Sequence, residues 1–176
     1  MSTDNTALQR LNALGEESAW EELLRCCGAS KWVLSVMKGR PFADEEALSN
    51  RSEDAFATLE RTDWLEAFAH HPKIGDIDSL RAKFATTSAW ASNEQAGTKA
   101  ASEETLRALA QGNTDYENKF GFIFIICATG KSADEMLLAL RARLGNDADT
   151  ELQNAAEQQK QITRLRIGKL LQPKTI

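Results

Sequence analysis

The chain has 176 residues, of which 42% are hydrophobic and 27% charged, and its formal net charge is −5. This balance suits one globular domain, residues 1–176, and excludes wholesale disorder and the basic surface of a nucleic-acid-binding protein. The longest apolar run, residues 120–128, is too short to cross a bilayer, and the first residues lack the apolar core of a signal peptide. We therefore expect a cytoplasmic protein that binds neither nucleic acid nor membrane.

The cysteines and histidines indicate a chain without disulfides or a metal site. The cysteine count is odd, and Cys26 and Cys27 are neighbours that do not readily bridge each other, so we expect reduced, buried thiols. The only histidines, His70 and His71, are adjacent, and no CxxC occurs, so paired metal ligands are missing. Glycine-rich phosphate loops and a GxSxG motif are also absent. No metal is expected.

Nearly every segment has the apolar spacing of a helix, which predicts an all-α fold. Three stripes at the start of the chain each end near a glycine: Leu8, Leu11 and Leu14; Trp20, Leu23, Leu24 and Cys27; and Trp32, Val33, Val36 and Met37. Asp63 and Glu66 have capping-box spacing and predict a helix that leads into the two histidines. Ser132 and Glu135 predict another, which ends near Gly145. The last helix should run from residue 149 or 150 to about residue 171.

The stretch KFGFIFIICATG, residues 119–130, interrupts the helical pattern. Its β-branched and aromatic residues favour a strand, but it would be the only strand in the chain. A lone strand has no partner for its backbone groups. We therefore predict a buried segment, extended or irregularly helical, within an all-α domain.

The stretch EAFAHHPKIGD, residues 66–76, places both histidines before a proline that ends a helix. At about 100° per residue, His71 continues the face of Trp64 and Phe68, whereas His70 lies well round the helix. We predict that His71 points inward and that His70 lies at the surface. An imidazole can exchange a proton at neutral pH. A core histidine that is hydrogen-bonded to a carbonyl fits the same pattern.

The last helix places a basic residue on an apolar stripe. Arg166 lies on the stripe, and Arg164 points to the opposite side. A buried guanidinium requires an anion, which can be a structural carboxylate or a charged substrate. The predicted stripe consists of Leu152, Ala155, Gln159, Ile162, Arg166 and Leu170.

Glu94 is a third polar residue on an apolar helical face, which it shares with Trp90, Gly97 and Ala101. By itself this pattern also fits a solvated helix surface. One histidine, one glutamate and one arginine, each interrupting an apolar stripe, together indicate an active site for a small anion.

The same three regions resemble a known family. The strings DWLEAFAHHPKIGD, SNEQAG, YENKFGFIFIICATGKSADEMLLALRARLGND and AAEQQKQITRLRIGKLL are similar to 2-oxo-4-hydroxy-4-carboxy-5-ureidoimidazoline (OHCU) decarboxylases of the urate pathway. The opening, residues 11–43, resembles the bacterial members. The resemblance implies an all-helical fold, a homodimer and no cofactor. It also implies that OHCU, the product of 5-hydroxyisourate hydrolysis, is decarboxylated to (S)-allantoin.

Carried over to this sequence, the resemblance assigns catalytic roles to His71, Glu94 and Arg166. The substrate contacts that it implies come from Pro72, Ser92, Gln95 and the segment of Phe122, Ile123, Phe124 and Ile125. The chain departs from the family pattern at Lys73, where arginine is frequent. The extra His70 is a second departure, and the choice between the histidines rests on the helical face.

The implied chemistry requires only binding, orientation and protonation, because the conjugated ring of OHCU takes up the electron pair that CO₂ leaves. Arg166 would hold the anionic ring, and Glu94 would make the ground-state carboxylate less stable. His71 would bind the substrate hydroxyl or carboxylate and deliver the proton. Two alternatives stay open. One is a non-catalytic helical module that binds a small anion or a partner helix through Arg166, Trp20 and Trp32. The other is hydrolysis of 5-hydroxyisourate, although the chain has no further histidines for the metal site or paired bases of a hydrolase.

Overall fold

The computed structural model describes residues 6–72, 76–91 and 102–173. These ranges contain nine α-helices and no β-strand, so the predicted all-α fold is confirmed. None of the helices in these ranges combines the length and the hydropathy needed to cross a membrane. In chain order the helices are α1 Thr6–Ala13, α2 Glu16–Cys26, α3 Ser30–Met37, α4 Glu45–Ala57, α5 Arg61–Ala69, α6 Ile77–Ala91, α7 Glu103–Phe120, α8 Ala133–Leu144 and α9 Ala148–Leu170.

The helices fall into two compact units. The first unit consists of Met1–His70 with Ala156–Ile176, and the second of His71–Ala155. In the first unit α3 packs against α2, α4 and α5, and in the second α7 packs against α6 and α8. The expectation of one domain over residues 1–176 stays a prediction.

A ladder of stacked aromatic rings forms the core of the first unit. Trp32 of α3, Phe56 of α4, and Trp64 and Phe68 of α5 follow one another with ring centroids 5.8, 5.8 and 6.4 Å apart. All four side chains are buried. Because the four rings come from α3, α4 and α5, the ladder packs these three helices together. Stacked rings at this spacing stabilise the packing beyond the contribution of burial alone. The ladder also places Trp64 and Phe68 on the buried face of α5, as predicted.

Helix α5 begins earlier than predicted. Asp63 is its third residue, and the Asp63 carboxylate accepts a hydrogen bond from the backbone N–H of Glu60 at 2.8 Å. The prediction of a capping box between Asp63 and Glu66 is therefore wrong. The Glu66 carboxylate accepts hydrogen bonds from the hydroxyl of Ser30 and from its backbone N–H, the latter at 3.3 Å. Ser30 begins α3, and the positive end of that helix dipole attracts the carboxylate away from its own helix.

The loop between α2 and α3 allows a close contact with the end of α5. A Cβ atom placed on Gly28 would lie 2.4 Å from the Cβ atom of His70. His70 is the C-terminal cap of α5 and its side chain is otherwise exposed. Only glycine fits at residue 28 without moving the backbone of one of the two segments.

We expect Gly28→Ala to lower the free energy of unfolding by about 1–3 kcal/mol, because no side-chain rotation relieves an overlap between two Cβ atoms. Gly168→Ala in α9 is the matched control, since among the described residues no atom outside the adjoining helix backbone lies within 4 Å of the added methyl group. It should be neutral or stabilise by up to about 0.5–1 kcal/mol. Urea unfolding of both variants measures the difference, and equal midpoints would contradict the close contact.

The segment that follows α7 has no regular secondary structure. Gly121 ends α7 in the left-handed conformation, with φ 79°, and its N–H donates to the carbonyl oxygen of Glu117 at 2.8 Å. Residues 123–128 then form neither helix nor strand, and Phe122, Ile125 and Cys127 are buried. The prediction of a buried irregular segment instead of a strand is confirmed.

The boundaries of the last two helices agree with the sequence. Ser132 and Glu135 form the predicted capping box: the Glu135 N–H donates to Ser132 Oγ at 3.2 Å, and the Ser132 N–H donates to Glu135 Oε2 at 2.8 Å. Helix α8 ends at Leu144, and Gly145 is its cap. Helix α9 spans Ala148–Leu170, within two residues of the prediction.

Candidate active site

His71 lies just beyond the end of α5. The helix ends at Ala69 and His70 is its cap, so His71 and Pro72 follow in non-helical backbone. His70 is exposed, as predicted, whereas His71 is half-buried and Pro72 is exposed. The helical face therefore does not direct the His71 side chain, because the chain leaves the helix before reaching it. The turn at residues 70–72 determines its direction instead.

Three of the predicted site residues, Ser92, Glu94 and Gln95, lie outside the described residues. The face that Glu94 is predicted to share with Trp90, Gly97 and Ala101 also stays a prediction. Among the other predicted contacts, Phe122 and Ile125 are buried, and Ile123 and Phe124 are half-buried. These four residues and His71 belong to the second unit, and Arg166 belongs to the first.

The buried face of α9 differs from the predicted stripe. Arg166 is only half-buried, so the prediction that it lies in the middle of the buried face is wrong. Thr163 is fully buried instead, with its hydroxyl 3.1 Å from the carbonyl oxygen of Cys26. The start of α9 belongs to the second unit and the rest to the first, so the helix does not bury one straight stripe. Its buried residues are Glu151, Ala155, Ala156, Gln159, Thr163 and Ile167.

Arg166 has no carboxylate partner among the described residues. Its Nη1 donates to the carbonyl oxygen of Arg25 at 3.1 Å, near the C-terminal end of α2, where the helix dipole favours a cation. Arg164, in contrast, is exposed and donates to both carboxylate oxygens of Glu53, at 2.7 and 2.9 Å. The two arginines therefore differ as predicted in direction, and most N–H donors of Arg166 have no acceptor among the described residues.

The neighbouring thiols do not supply an anion for Arg166. Burial raises the pKa of Cys26 to about 12 and that of Cys27 to about 11, and the positive charge of Arg166 offsets this only in part. Both cysteines are buried and free of disulfides, as expected, and remain protonated at neutral pH. Neither thiol therefore neutralises the guanidinium of Arg166.

Arg143 contacts the irregular segment after α7. Its Nη1 donates to the carbonyl oxygen of Ile125 at 2.7 Å, and its guanidinium carbon lies 4.5 Å from the centre of the Phe124 ring. Within the part of the chain that the structure describes, the backbone N–H groups of Ile123, Phe124 and Ile125 have no acceptor. Relative to the described residues, the segment therefore presents three donors without an acceptor beside a carbonyl that Arg143 binds.

A buried carboxylate holds Arg143 in place. Nε and Nη2 of Arg143 each lie 2.6 Å from Oε1 of Glu151, which also accepts from the Tyr116 hydroxyl at 2.5 Å. Asn146 Nδ2 donates to the other carboxylate oxygen at 3.1 Å. Burial disfavours the charged form of Glu151, but these hydrogen bonds outweigh it and lower its pKa. We call Tyr116, Arg143, Asn146 and Glu151 the Glu151 cluster.

The site predicted from the sequence does not include the Glu151 cluster, although the sequence contains a signal for it. Arg143 follows the buried residues Met136 and Leu140 at helical spacing, and Glu151 precedes buried Ala155 by one turn. Within the described ranges, no three His, Cys, Asp or Glu side chains are grouped to hold a metal ion. The expectation of a reaction without a cofactor stays a prediction.

The comparison with known proteins places the chain in a family. A family model described as OHCU decarboxylase matches residues 12–168. The chain belongs to the OHCU decarboxylase family. It is 30% identical over 138 residues to the OHCU decarboxylase of Amia calva, a match that covers 78% of each chain. The uric acid degradation bifunctional protein TTL of Arabidopsis thaliana is 40% identical over 151 residues, which are 85% of this chain but only 46% of that protein.

Solved structures share the OHCU decarboxylase fold with this chain. A crystal structure of OHCU decarboxylase in the presence of (S)-allantoin is 38% identical, with a TM-score of 0.69, and the match covers 86% of this chain and 97% of that one. A crystal structure of (S)-allantoin synthase is 15% identical with a TM-score of 0.68, a likeness that shows the fold alone.

Proposed function

We propose that this chain decarboxylates OHCU to (S)-allantoin in urate degradation, as a carbon–carbon lyase that uses no cofactor. The observation that carries the proposal is the likeness to OHCU decarboxylase crystallised with (S)-allantoin, which extends over 97% of that chain at 38% identity. The family match over residues 12–168 supports the same activity. We further propose that the protein acts as a homodimer in the cytoplasm.

Arg166 is the proposed anchor for the anionic substrate. Its guanidinium has no carboxylate partner among the described residues and donates only to a backbone carbonyl. Charge-assisted hydrogen bonds to the ring and carbonyl oxygens of OHCU would be about twice as strong as bonds between neutral groups. Arg166 thus supplies binding free energy and holds the ring for the loss of CO₂.

His71 and Glu94 are the proposed residues of the chemical step. His71 binds the substrate hydroxyl or carboxylate and then protonates one face of the carbanion, which accounts for a single enantiomer of allantoin. Glu94, with Ser92 and Gln95 beside it in the sequence, destabilises the ground-state carboxylate more than the transition state, in which the negative charge moves from the carboxylate into the ring. The electron pair of the broken bond enters the conjugated ring of the substrate itself.

The segment of Phe122, Ile123, Phe124 and Ile125 is proposed to bind the substrate through its backbone, with Pro72 as a further contact. The N–H groups of Ile123, Phe124 and Ile125 support this assignment: they have no acceptor among the described residues, and such a donor suits a carbonyl or carboxylate oxygen of a ligand.

The non-catalytic alternative loses part of its basis. Trp32, one of the two tryptophans assigned to its interaction surface, is 0% exposed and stacks on Phe56. A fully buried indole does not contact a partner helix. The alternative therefore keeps only Arg166 and the half-buried Trp20.

A coupled assay tests the proposed activity. Urate oxidase and hydroxyisourate hydrolase generate OHCU from urate, and circular dichroism follows the formation of (S)-allantoin. With the purified chain present, we expect the dichroic signal to rise faster than spontaneous decay allows and to survive exhaustive chelation. Racemic allantoin formed at the spontaneous rate would refute the decarboxylase assignment. Activity that chelation removes and a divalent metal restores would refute the absence of a cofactor.

A further inference from the structure

We infer that Arg143 is a positioning residue for the substrate: it orients the backbone of Ile123, Phe124 and Ile125 and so sets where their N–H groups meet the bound ureidoimidazoline. The inference rests on the proposed function, from which it takes the contact between this segment and the substrate. It assigns to Arg143 an action through the segment, without contact to the reacting atoms.

The segment needs a support that its own backbone does not provide. Residues 123–128 form neither helix nor strand, and the N–H groups of Ile123, Phe124 and Ile125 have no acceptor among the described residues. Side-chain contacts must therefore select one conformation. Arg143 makes two such contacts, a hydrogen bond to the carbonyl oxygen of Ile125 at 2.7 Å and a cation–π contact with the ring of Phe124.

Arg143 is itself held from its other side by the Glu151 cluster. Its side chain is 12% exposed and that of Glu151 is 0% exposed, and Nε and Nη2 both lie 2.6 Å from Oε1 of Glu151. The Tyr116 hydroxyl donates to the same oxygen at 2.5 Å. With three of its nitrogens engaged, the planar guanidinium has one orientation, and Nη1 points to Ile125.

Stability alone does not account for this arrangement. Replacing a buried ion pair with apolar residues of similar volume is often neutral or stabilising. Apolar side chains in place of Arg143 and Glu151 could therefore give the same or a higher free energy of unfolding. A planar donor of fixed direction does account for it, because the hydrogen bonds from the segment to the substrate depend on where its N–H groups lie. If all three N–H groups are displaced together, substrate binding weakens, so the loss is expected mainly in KM.

Arg143→Lys separates positioning from charge. Lysine keeps the positive charge opposite Glu151 but lacks the planar fork that reaches both Glu151 and Ile125. In the full chain, we expect the melting temperature to stay close to that of the wild type, KM for OHCU to rise about tenfold because the hydrogen bonds to the substrate weaken, and kcat to change less. Arg141→Lys on the same helix is the matched control, because Arg141 is exposed, and it should change none of the three.

The wild-type assay keeps the two proposals apart. A wild-type chain that does not turn over OHCU refutes the proposed function and, with it, the basis of this inference. A wild-type chain that is active, together with an Arg143→Lys variant of unchanged KM per folded molecule, overturns the positioning role alone. If Arg143→Lys does not fold, Tyr116→Phe decides, because it removes a single hydroxyl from the Glu151 cluster. The KM of the Tyr116→Phe variant for OHCU should rise roughly two- to fivefold, and an unchanged KM overturns the inference.

Discussion

Replacing His71 with alanine is expected to lower the turnover of OHCU by on the order of 10²–10⁴-fold, the usual loss when a general acid is removed. His71 is half-buried in the turn after α5, and in the proposed reaction it delivers the proton to the carbanion. The variant should still fold, because His71 lies outside the helix and outside the aromatic ladder of the first unit. Its kcat/KM in the coupled assay measures the loss.

His70→Ala is the matched control for this experiment. His70 is exposed, and alanine keeps the Cβ atom that packs against Gly28, so the loop between α2 and α3 is preserved. Most of the activity should remain. Equal losses in the two variants would contradict the choice of His71. A larger loss from His70→Ala would show that His70 is the proton donor. The enantiomeric purity of the allantoin gives a second measurement, because the missing acid also removes the control over which face is protonated.

Arg166→Met is expected to abolish most substrate binding while leaving the fold intact. Methionine keeps much of the apolar stem and removes the charge, so OHCU loses its anchor, and kcat/KM should fall by on the order of 10²–10³-fold. The only hydrogen bond that the described residues lose is the one to the carbonyl oxygen of Arg25. The free energy of unfolding should therefore fall by no more than about 1.5 kcal/mol.

Arg164→Met is the control for Arg166, since both substitutions remove one charge from the same helix. Arg164 pairs with Glu53 at the surface, and an exposed pair contributes about 0–1 kcal/mol to stability. Its activity should be close to that of the wild type. Thermal melts and turnover of the two variants then separate the roles. Destabilisation of Arg166→Met by roughly 3–5 kcal/mol with intact activity per folded molecule would show a structural ion pair in place of a substrate anchor.

The sequence by itself determines the helical class and the ends of several helices, among them both ends of α8 and α9, because these depend on residues close together in the chain. The capping box of Ser132 and Glu135 is formed as its spacing predicts. The segment after α7 is recognised as irregular for the same kind of reason, since a single strand has no ladder partner. The motifs around His71, Glu94 and Arg166 also point to the family before any coordinate is known.

The start of α5 shows where local rules are insufficient. Glu60 and Asp63 have the same spacing as Asp63 and Glu66, so the sequence alone allows either pair to form a capping box. Ser30 decides between them: it lies 36 residues from Glu66 in the chain, and its backbone N–H and hydroxyl donate hydrogen bonds to the Glu66 carboxylate. Only the packing of α3 against α5 brings the two together.

Burial on α9 is the other property that tertiary structure decides. Periodicity predicts an inward face around Arg166. The start of α9 belongs to one unit and the rest to the other, however, and its buried residues include Glu151 and Thr163. Arg166 itself is half-buried. The same periodicity applies to Arg143 and Glu151, which become partners only because α8 and the start of α9 belong to the same unit. A charged residue on an apolar stripe is visible in the sequence. Whether it is buried, and which group neutralises it, depends on the neighbouring helix, because burial and charge pairing are properties of contacts between residues far apart in the chain.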